Sequence, residues 1–449
     1  MKMAMEGRFG KPCRQHWPQF FTRVIPPSVW QAFGDKVRQV KRVDARWSAK
    51  YVVLCWVIMG WSTQAQLTER FRESREVLVR LFARRRRPGR SYQGLVNAGH
   101  ELGEPVFQHF WACLRKTMAR RVGAHWWWYG WVVMAVDGSR IDAPRTRSNE
   151  RALGIAGRPK THPQWWVTAI THLPSHLIWD WRQGPGVSDE RRHLREMLPA
   201  LPHRTLLLGD IGFCHFDLMW ELCRRQLEFV IRVGGHTTLL AEVGRHAIEK
   251  RGDHRYVYFF PLRRRGLPPL PLRLIVLKRK GKRVYLLTNV FDSARLSRSM
   301  ASDLYAARWD IEVSYRSLKQ TLGHRKVLAR TPQVGVMELA GRILALAILL
   351  LQTAWLQGVK LAHASISEAL RLLRRALEAV RFGQRSYRFI KALRGALRDR
   401  YRRRRPKGAR DWPHKKKERM PGPPILRRPT AGERALINRY WSRSDVDYG

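Results

Sequence analysis

The sequence predicts an α/β protein, with a mixed sheet as its core, a β-rich insertion in that core and helical regions on both sides. Three observations predict this class. Short apolar runs typical of buried strands begin at Trp131 and alternate with amphipathic helical segments. Further β-rich runs follow, divided by breaks that contain Pro and Gly. Helical patterns precede the first strand and resume near Ser299.

The charge of the chain indicates a polyanionic partner. Its 86 Lys and Arg residues exceed its 35 Asp and Glu residues, which gives a formal net charge of +51. Nucleic acid is the commonest partner of such a surplus, although a basic surface can also serve solubility alone. Hydrophobic residues make up 44% of the chain and include 19 Trp, so the sequence is not that of a disordered polycation.

We expect five regions, because 449 residues exceed the size of a usual single core. They are an α-helical N-terminal DNA-binding region (1–125), the first part of the core (126–232), the β-rich insertion (233–298), the second part of the core (299–375) and a basic C-terminal region (376–449). In the first region, FRESREVLVRLFARRRRPGRSYQGLVNAGHEL predicts a helix, a basic break and a second helix. That pair could dock on DNA or be a helical cap with a solvated turn.

Cysteine usage and apolar runs indicate a cytoplasmic protein without a membrane partner. The five cysteines form no CxxC pair and leave an odd one over, which favours neither a disulfide framework nor a zinc site. The first residues lack the continuous apolar stretch of a secretory signal. The runs YVVLCWVIMGW (51–61) and ILALAILLLQTAWL (343–356) are shorter than the about 20 residues that a spanning helix needs, so we expect buried helices.

The order of elements after Trp126 is typical of a ribonuclease-H-like core. WVVMAVDG, WWVTAITH and LIWDW predict three strands, and SDERRHLREML predicts a helix with Ser188 as its N-cap. TLLLGDIGF, DLMWELCRRQ and EFVIRV then predict a strand, a helix and a strand. Asp137 ends the first of these strands and Asp210 ends the fourth.

A third carboxylate lies in the stretch YAARWDIEVSYRSLK. Tyr305, Arg308, Glu312 and Lys319 follow one another at steps of three, four and seven, so on a helix they fall within roughly 60° of one another. An ordinary surface helix with an Arg308–Glu312 pair would also give this spacing. The two Asp residues favour a functional site over an ordinary surface helix, because an unpaired carboxylate at the end of a buried strand requires a compensating cation.

Together these residues favour a divalent metal site for phosphoryl transfer. Two Asp and one Glu supply hard oxygen ligands, which suit Mg²⁺ or Mn²⁺. A pair of such ions activates a water or a 3′-hydroxyl and stabilises the leaving oxygen. Arg308 and Lys319 would hold the flanking phosphates, and Tyr305 could pack or hydrogen-bond at the strand end.

The motifs resemble those of bacterial insertion-sequence transposases of the DDE class, in the group whose third acidic residue lies in a Y-x₂-R-x₃-E-x₆-K signature. Tyr305, Arg308, Glu312 and Lys319 match all four positions of that signature. AVDGSRID and GDIGF resemble the contexts of the two Asp residues, and the resemblance covers about residues 130 to 350, β-rich insertion included.

The resemblance implies that Asp137, Asp210 and Glu312 form a metal-binding catalytic triad, with two Mg²⁺ ions for which Mn²⁺ can substitute. It implies excision by hydrolysis and strand transfer, in several members through a hairpin on the transposon end, followed by joining of 3′-hydroxyls to target DNA. The implied partners are double-stranded DNA, at the transposon ends and the target, and a second copy of the chain in a synaptic homodimer. Such a protein would work in the cytoplasm, at the nucleoid.

The resemblance also implies roles for the rest of the signature. Arg308 and Lys319 would contact phosphates of the transposon end, and Tyr305 would position DNA near the cut. Members that form hairpins hold a flipped base with an aromatic side chain of the insertion. No motif identifies that side chain here, and Tyr285 and Phe291 are candidates that could equally be core residues.

Two other classes of protein remain as alternatives. A catalytically inactive DNA-binding protein derived from a transposase would keep the fold, but the presence of all three carboxylates in order argues against it. A tyrosine recombinase would use Tyr305 as its nucleophile. That mechanism needs Arg and His around the tyrosine, and a Glu seven residues later has no purpose in it.

Overall fold

We analysed a computed structural model of the chain. The structure describes eleven stretches, and the statements below concern these alone: 25–38, 46–82, 87–156, 162–241, 254–260, 267–279, 282–323, 325–357, 365–383, 392–393 and 421–441. The basic run at residues 83–86 and the basic stretch 394–420 lie outside them.

The N-terminal region is helical as far as it is described. Its helices are Pro27–Arg38, Ala49–Trp61, Leu67–Leu81, Tyr92–Leu102, Pro105–Arg115 and Met118–Val122. A 3₁₀ turn at Gly123–Trp126 follows the last of them. Ser48 and Ser91 cap two of them, because each hydroxyl accepts a hydrogen bond from a backbone N–H three residues later. The two helices predicted within residues 71–102 are therefore present, one on each side of the undescribed residues 83–86.

The core sheet has the strand order of ribonuclease H, which confirms the predicted fold class. Its strands are β1 (Val132–Asp142), β3 (His162–His172), β4 (Leu177–Pro185), β5 (Thr205–Gly209) and β6 (Glu228–Val233). A short helix, Arg147–Leu153, and a two-residue strand, β2 (Ile155–Ala156), lie between β1 and β3 in the chain. The spatial order is β4-β3-β1-β5-β6. Strands β3 and β4 are antiparallel to their neighbours, whereas β1, β5 and β6 run parallel. Helices Glu190–Met197 and Phe216–Arg224 connect β4 to β5 and β5 to β6.

The β-rich segment extends the core sheet. Its strands are β7 (Thr238–Ala241), β8 (His254–Phe259), β9 (Leu270–Arg279) and β10 (Lys282–Thr288). They pair antiparallel in sequence order, and β10 then pairs antiparallel with β6. A strand near the C-terminus, β11 (Ile425–Arg427), adds to β7 in parallel and is followed by helix Ala431–Tyr440. The described residues thus form one eleven-stranded sheet.

Helices return after the sheet, and one of them contains the second predicted apolar run. The helices are Arg298–Ala307, Asp310–Arg316, Pro332–Gln357 and Ile366–Arg381. Helix Pro332–Gln357 is long and apolar enough to cross a membrane, but 89% of its most apolar window is buried inside the protein. It packs on helix Ala49–Trp61, where the Trp61 indole donates to the Ala345 carbonyl at 2.9 Å. The prediction of buried helices at both runs is confirmed.

Three local predictions were wrong. Asp137 does not end the first core strand, because β1 continues to Asp142 and pairs with β3 along that length. The N-cap of helix Glu190–Met197 is Asp189, whose side chain accepts from the Arg191 N–H, and not Ser188. The segment from Tyr305 to Lys319 is not one regular helix, since helix Arg298–Ala307 ends before Arg308 and a second helix starts at Asp310. A π-helical turn, Ser317–Thr321, then contains Lys319.

Candidate active site

Asp137 and Asp210 lie at the same edge of the sheet because β1 and β5 are parallel neighbours. Their register pairs Val132 with Thr205 and Ala135 with Leu208. Two further steps along each strand reach Asp137 and Asp210, so the two residues lie at the same level, where β5 has just ended and β1 continues to Asp142. The apolar residues before each Asp are completely buried and fix this register.

Each of these carboxylates is held by a backbone N–H close by in sequence. Asp137 Oδ1 accepts from the Gly138 N–H at 2.9 Å, and Asp210 Oδ1 accepts from the Gly212 N–H at 2.9 Å. Burial raises the pKa of Asp137 to about 6, the Gly138 N–H opposes that rise, and the neighbouring Asp210 charge adds to it. Such an environment favours a bound cation.

Tyr315 fixes the helix of the third carboxylate against the strand of the first. Its hydroxyl lies 2.9 Å from the Asp137 carbonyl oxygen and 3.0 Å from that of Val167, so it can donate to either. The sequence motifs assign this residue no role in the site. Its chemistry was the signal for a hydrogen-bonding role, because a buried tyrosine hydroxyl usually has a hydrogen-bond partner.

Glu312 is half-buried and belongs to the same electrostatic environment as the two Asp residues. Burial raises the pKa of its carboxyl group, Arg308 lowers it and Asp210 raises it. The Arg308 guanidinium lies 4.0 Å from Glu312 Oε1. Glu312 in turn raises the pKa of Asp137. The structure therefore brings the three predicted carboxylates to one end of the sheet.

Arg308 and Tyr305 are more buried than expected for side chains on a helix face that contacts a ligand. Their exposed fractions are 5% and 4%. The Arg308 guanidinium lies 5.6 Å from the centroids of the Tyr305 ring and the Trp309 ring. Arg308 Nε has no hydrogen-bond partner among the described residues. Trp309, by contrast, is 55% exposed, so a large aromatic surface lies beside Arg308.

Lys319 reaches the other side of the same edge. Its ammonium group donates to Ser139 Oγ at 2.7 Å, and Ser139 lies two residues after Asp137 in β1. Burial lowers the pKa of Lys319, while Asp142 and Asp137 favour its charged form. The π-helical turn around Lys319 directs the side chain towards β1.

The site could hold a divalent metal by its chemistry, although its ligands are not gathered around one point. Within the described stretches, no three His, Cys, Asp or Glu side chains are close enough to bind one metal ion. The donors at the edge are carboxylate oxygens, which hard cations prefer. Asp137 and Asp210 each use one oxygen for a backbone N–H, and a cation would offset their mutual repulsion. The residues present therefore fit Mg²⁺ or Mn²⁺.

The two insertion aromatics lie in different environments. Phe291 stacks on Tyr256, with ring centroids 6.1 Å apart. Tyr285 is partly buried and packs against the hydrophobic core. Neither placement distinguishes a base-holding role from a core role.

Comparison with known families decides what this arrangement is. The family described as Transposase DDE domain matches residues 128–348. These residues, just under half of the chain, resemble a DDE transposase domain. The matched residues agree with the limits of 130 and 350 predicted from the motifs, and they include all six predicted site residues.

Two curated relatives resemble part of this chain. One is transposase InsG for insertion sequence element IS4 of Escherichia coli (strain K12), which is 30% identical over 232 residues, 49% of this chain and 51% of the relative. The other is putative transposase y4zB of Sinorhizobium fredii (strain NBRC 101917 / NGR234), 30% identical over 156 residues, 33% of this chain and 43% of the relative. The chain spans about half the length of the curated relatives it matches, or less.

Among solved structures, the protein is similar to a piggyBac transposase, described in a cryo-EM synaptic complex with hairpin DNA. The TM-score is 0.43 and the sequence identity 12%, over 84% of this chain and 85% of the other. The fold assignment therefore depends on the strand order of the sheet.

Proposed function

We propose that the protein is a DDE transposase that cuts and joins DNA at the ends of an insertion sequence by metal-dependent phosphoryl transfer. The observation that carries the proposal is the meeting of Asp137, Asp210 and Glu312 at one sheet edge, inside a segment that matches the transposase DDE domain. The proposed reaction comprises hydrolysis at the element's ends and strand transfer to target DNA, with a hairpin as an optional intermediate.

Asp137, Asp210 and Glu312 would hold two Mg²⁺ ions, for which Mn²⁺ can substitute. When bound, the ions supply the Lewis acidity that activates a water or a 3′-hydroxyl and stabilises the leaving oxygen. The protein's part is to bring the three carboxylates together. Tyr315 does this for Glu312, because its contact with the Asp137 carbonyl holds the helix Asp310–Arg316 on β1.

Arg308 and Lys319 supply positive charge on either side of the carboxylates. Lys319 is half-buried beside Ser139, where a phosphate next to the cut could replace the hydroxyl as its partner. Arg308 is buried beside Glu312 with a free Nε, and we propose that it turns towards a phosphate when DNA binds. Tyr305 packs under Arg308 and would position DNA near the cut through it.

The proposed partners are double-stranded DNA, at the transposon ends and the target, and a second copy of the chain in a synaptic homodimer. The charge of +51 supports DNA binding, since each neutralised phosphate releases counterions. If a hairpin forms, Tyr285 and Phe291 are candidates for the side chain that holds a flipped base, and core roles are the alternative for both. The proposed place of action is the cytoplasm, at nucleoid DNA.

A nicking assay tests the proposal. Purified full-length protein is incubated with Mg²⁺ and duplex DNA that includes both flanks of its own gene, and new 3′-hydroxyls are mapped. We expect nicks at a pair of inverted repeats with the wild type and with Glu196→Gln, a surface variant on the helix Glu190–Met197. Asp137→Asn and Glu312→Gln should bind the same DNA in a mobility-shift assay without nicking it.

Other outcomes would overturn the proposal. Undiminished nicking by Asp137→Asn or Glu312→Gln would remove the carboxylates from the reaction. Binding without nicking by the wild type would favour a catalytically inactive DNA-binding protein. A covalent protein–DNA adduct that is lost in Tyr305→Phe would favour a tyrosine recombinase.

A further inference from the structure

A fourth carboxylate, Glu190, lies at the proposed active site. It is the first residue of helix Glu190–Met197, which follows β4 in the chain. No motif singled it out, because it lies outside the four-residue signature and the contexts of the two Asp residues. The side chain is half-buried, although a Glu in the first turn of a helix would ordinarily be well exposed.

The position of the Glu190 carboxylate is defined by two glycines. A Cβ atom on Gly138, the residue after Asp137, would lie 2.7 Å from Glu190 Oε2. A Cβ atom on Gly212, two residues after Asp210, would lie even closer to Glu190 Oε1. Neither glycine has a positive φ, so the backbone there would accept another residue. Gly138 leaves space for the Trp166 ring and for this carboxylate, and Gly212 leaves space for the carboxylate beside Asp210.

The Glu190 carboxylate has neither a hydrogen bond nor an ion pair with the described residues. The adjacent Arg191 binds Asp189 instead, with Nε 3.0 Å from Oδ1. Burial and the charges of Asp210 and Asp137 together raise the pKa of Glu190 to about 7. A half-buried carboxylate without a partner is costly to keep between two others unless a cation joins them.

The helix that carries Glu190 is firmly attached to the sheet. Leu194 and Met197 are completely buried, and His193 Nδ1 lies 3.1 Å from the hydroxyl of Thr168 in β3. Glu190 therefore keeps its place at the strand ends. On the outer side of the same helix, Glu196 is exposed and forms ion pairs with Arg182 and Arg192.

We propose that Glu190 is a fourth carboxylate of the metal site, placed between Asp137 and Asp210 by the space over Gly138 and Gly212. The inference rests on the proposed function, since it presumes that Asp137 and Asp210 bind a divalent metal. It deepens that function by adding a ligand from a helix that the sequence motifs do not include.

Manganese binding tests the inference without the DNA reaction. Mn²⁺ is titrated into the full-length protein, and free Mn²⁺ is measured by electron paramagnetic resonance. We expect Glu190→Gln to weaken Mn²⁺ binding roughly tenfold or more, because loss of a group that contacts or orients the metal typically costs that much. Glu196→Gln should bind as the wild type does, and Asp137→Asn serves as the reference for loss of a triad ligand.

The outcomes separate the inference from the proposed function. If Asp137→Asn weakens Mn²⁺ binding and Glu190→Gln does not, the role of Glu190 is refuted and the triad stands. If the wild type and Asp137→Asn bind Mn²⁺ equally, the proposed metal site fails, and the inference fails with it.

A double-mutant cycle distinguishes a metal role of Glu190 from a merely structural one. Gly212→Ala should weaken Mn²⁺ binding, because the added methyl group displaces the carboxylate. In the Glu190→Gln background the same change should add less than a twofold effect, since the group to be displaced is already lost. If the factors by which the two substitutions weaken Mn²⁺ binding multiply in the double variant, Gly212 and Glu190 act separately, and the inference is overturned.

Discussion

At the scale of single residues, the site combines side chains that the sequence identified with others that it did not. Asp137, Asp210 and Glu312 were found because a carboxylate at the end of an apolar run is chemically conspicuous. Glu190 escaped because nothing in its local sequence distinguishes it from any acidic residue in a first helical turn. Its relation to Gly138 and Gly212 exists only after β1, β4 and β5 are assembled.

Tyr315 should stabilise the attachment of the third carboxylate's helix. In Tyr315→Phe the carbonyls of Asp137 and Val167 lose a donor, and we expect the free energy of unfolding to fall by about 1 kcal/mol. Urea unfolding, followed by tryptophan fluorescence, measures the change. Tyr440→Phe, on the exposed helix Ala431–Tyr440, should leave stability unchanged. Equal stability of Tyr315→Phe and the wild type would contradict this role.

Lys319 should contribute one phosphate contact. In Lys319→Gln we expect weaker DNA binding, and the slope of log affinity against log salt concentration should fall by about 0.9. Fluorescence anisotropy of a labelled duplex over a range of salt concentrations gives both values. Ser139→Ala removes the hydroxyl partner of Lys319 but keeps the charge, so its salt slope should equal that of the wild type. A wild-type slope in Lys319→Gln would exclude the contact.

At the scale of elements, the signature helix is where the sequence prediction and the structure differ most. Periodicity predicted one helix from Tyr305 to Lys319, yet the helix breaks at Arg308 and ends in a π-helical turn. The stretch contains neither Gly nor Pro, so it carries no local breaking signal. The hydrogen bond from Lys319 to Ser139 in β1, 180 residues away in sequence, accompanies the π-helical turn. At the break, Arg308 packs against its sequence neighbours Tyr305 and Trp309.

The hairpin of β3 and β4 should show a pH-dependent stability through His172. This side chain is completely buried, with Nδ1 2.6 Å from Ser175 Oγ and Nε2 3.0 Å from the Trp126 carbonyl. A neutral ring satisfies both contacts if Nε2 donates and Nδ1 accepts the hydroxyl proton. Burial lowers the pKa of His172 to about 4, against about 6.5 in an unfolded chain.

Since the folded-state pKa lies below the unfolded value, the unfolded chain binds more protons between about pH 4 and about pH 6.5. The contribution of His172 is therefore complete above that range and is lost as the pH falls through it. We expect the stability difference between the wild type and His172→Gln to shrink by about 1.4 kcal/mol per pH unit there. Urea unfolding from pH 4.5 to 7.5 measures this, and parallel curves for the two proteins would contradict it.

At the scale of the whole molecule, the sequence predicted the core strands better than the pairing that joins the other strands to them. Buried apolar runs indicated the five core strands and their order, because burial on both faces leaves a nearly continuous hydrophobic pattern. The pairing of β10 with β6, which joins the β-rich segment to the core sheet, had no local signal. Neither had the pairing of β11 with β7, more than 180 residues away in sequence.

The central claim is that the carboxylates at this sheet edge act in the reaction as metal ligands. Asp210→Cys tests it most directly, because a thiolate is a poor ligand for Mg²⁺ and a better one for Mn²⁺. Nicking of the gene's flanking DNA by this variant is measured with each ion in turn. We expect no nicking with Mg²⁺ and partial recovery with Mn²⁺. Nicking at the wild-type rate with Mg²⁺ would contradict the account.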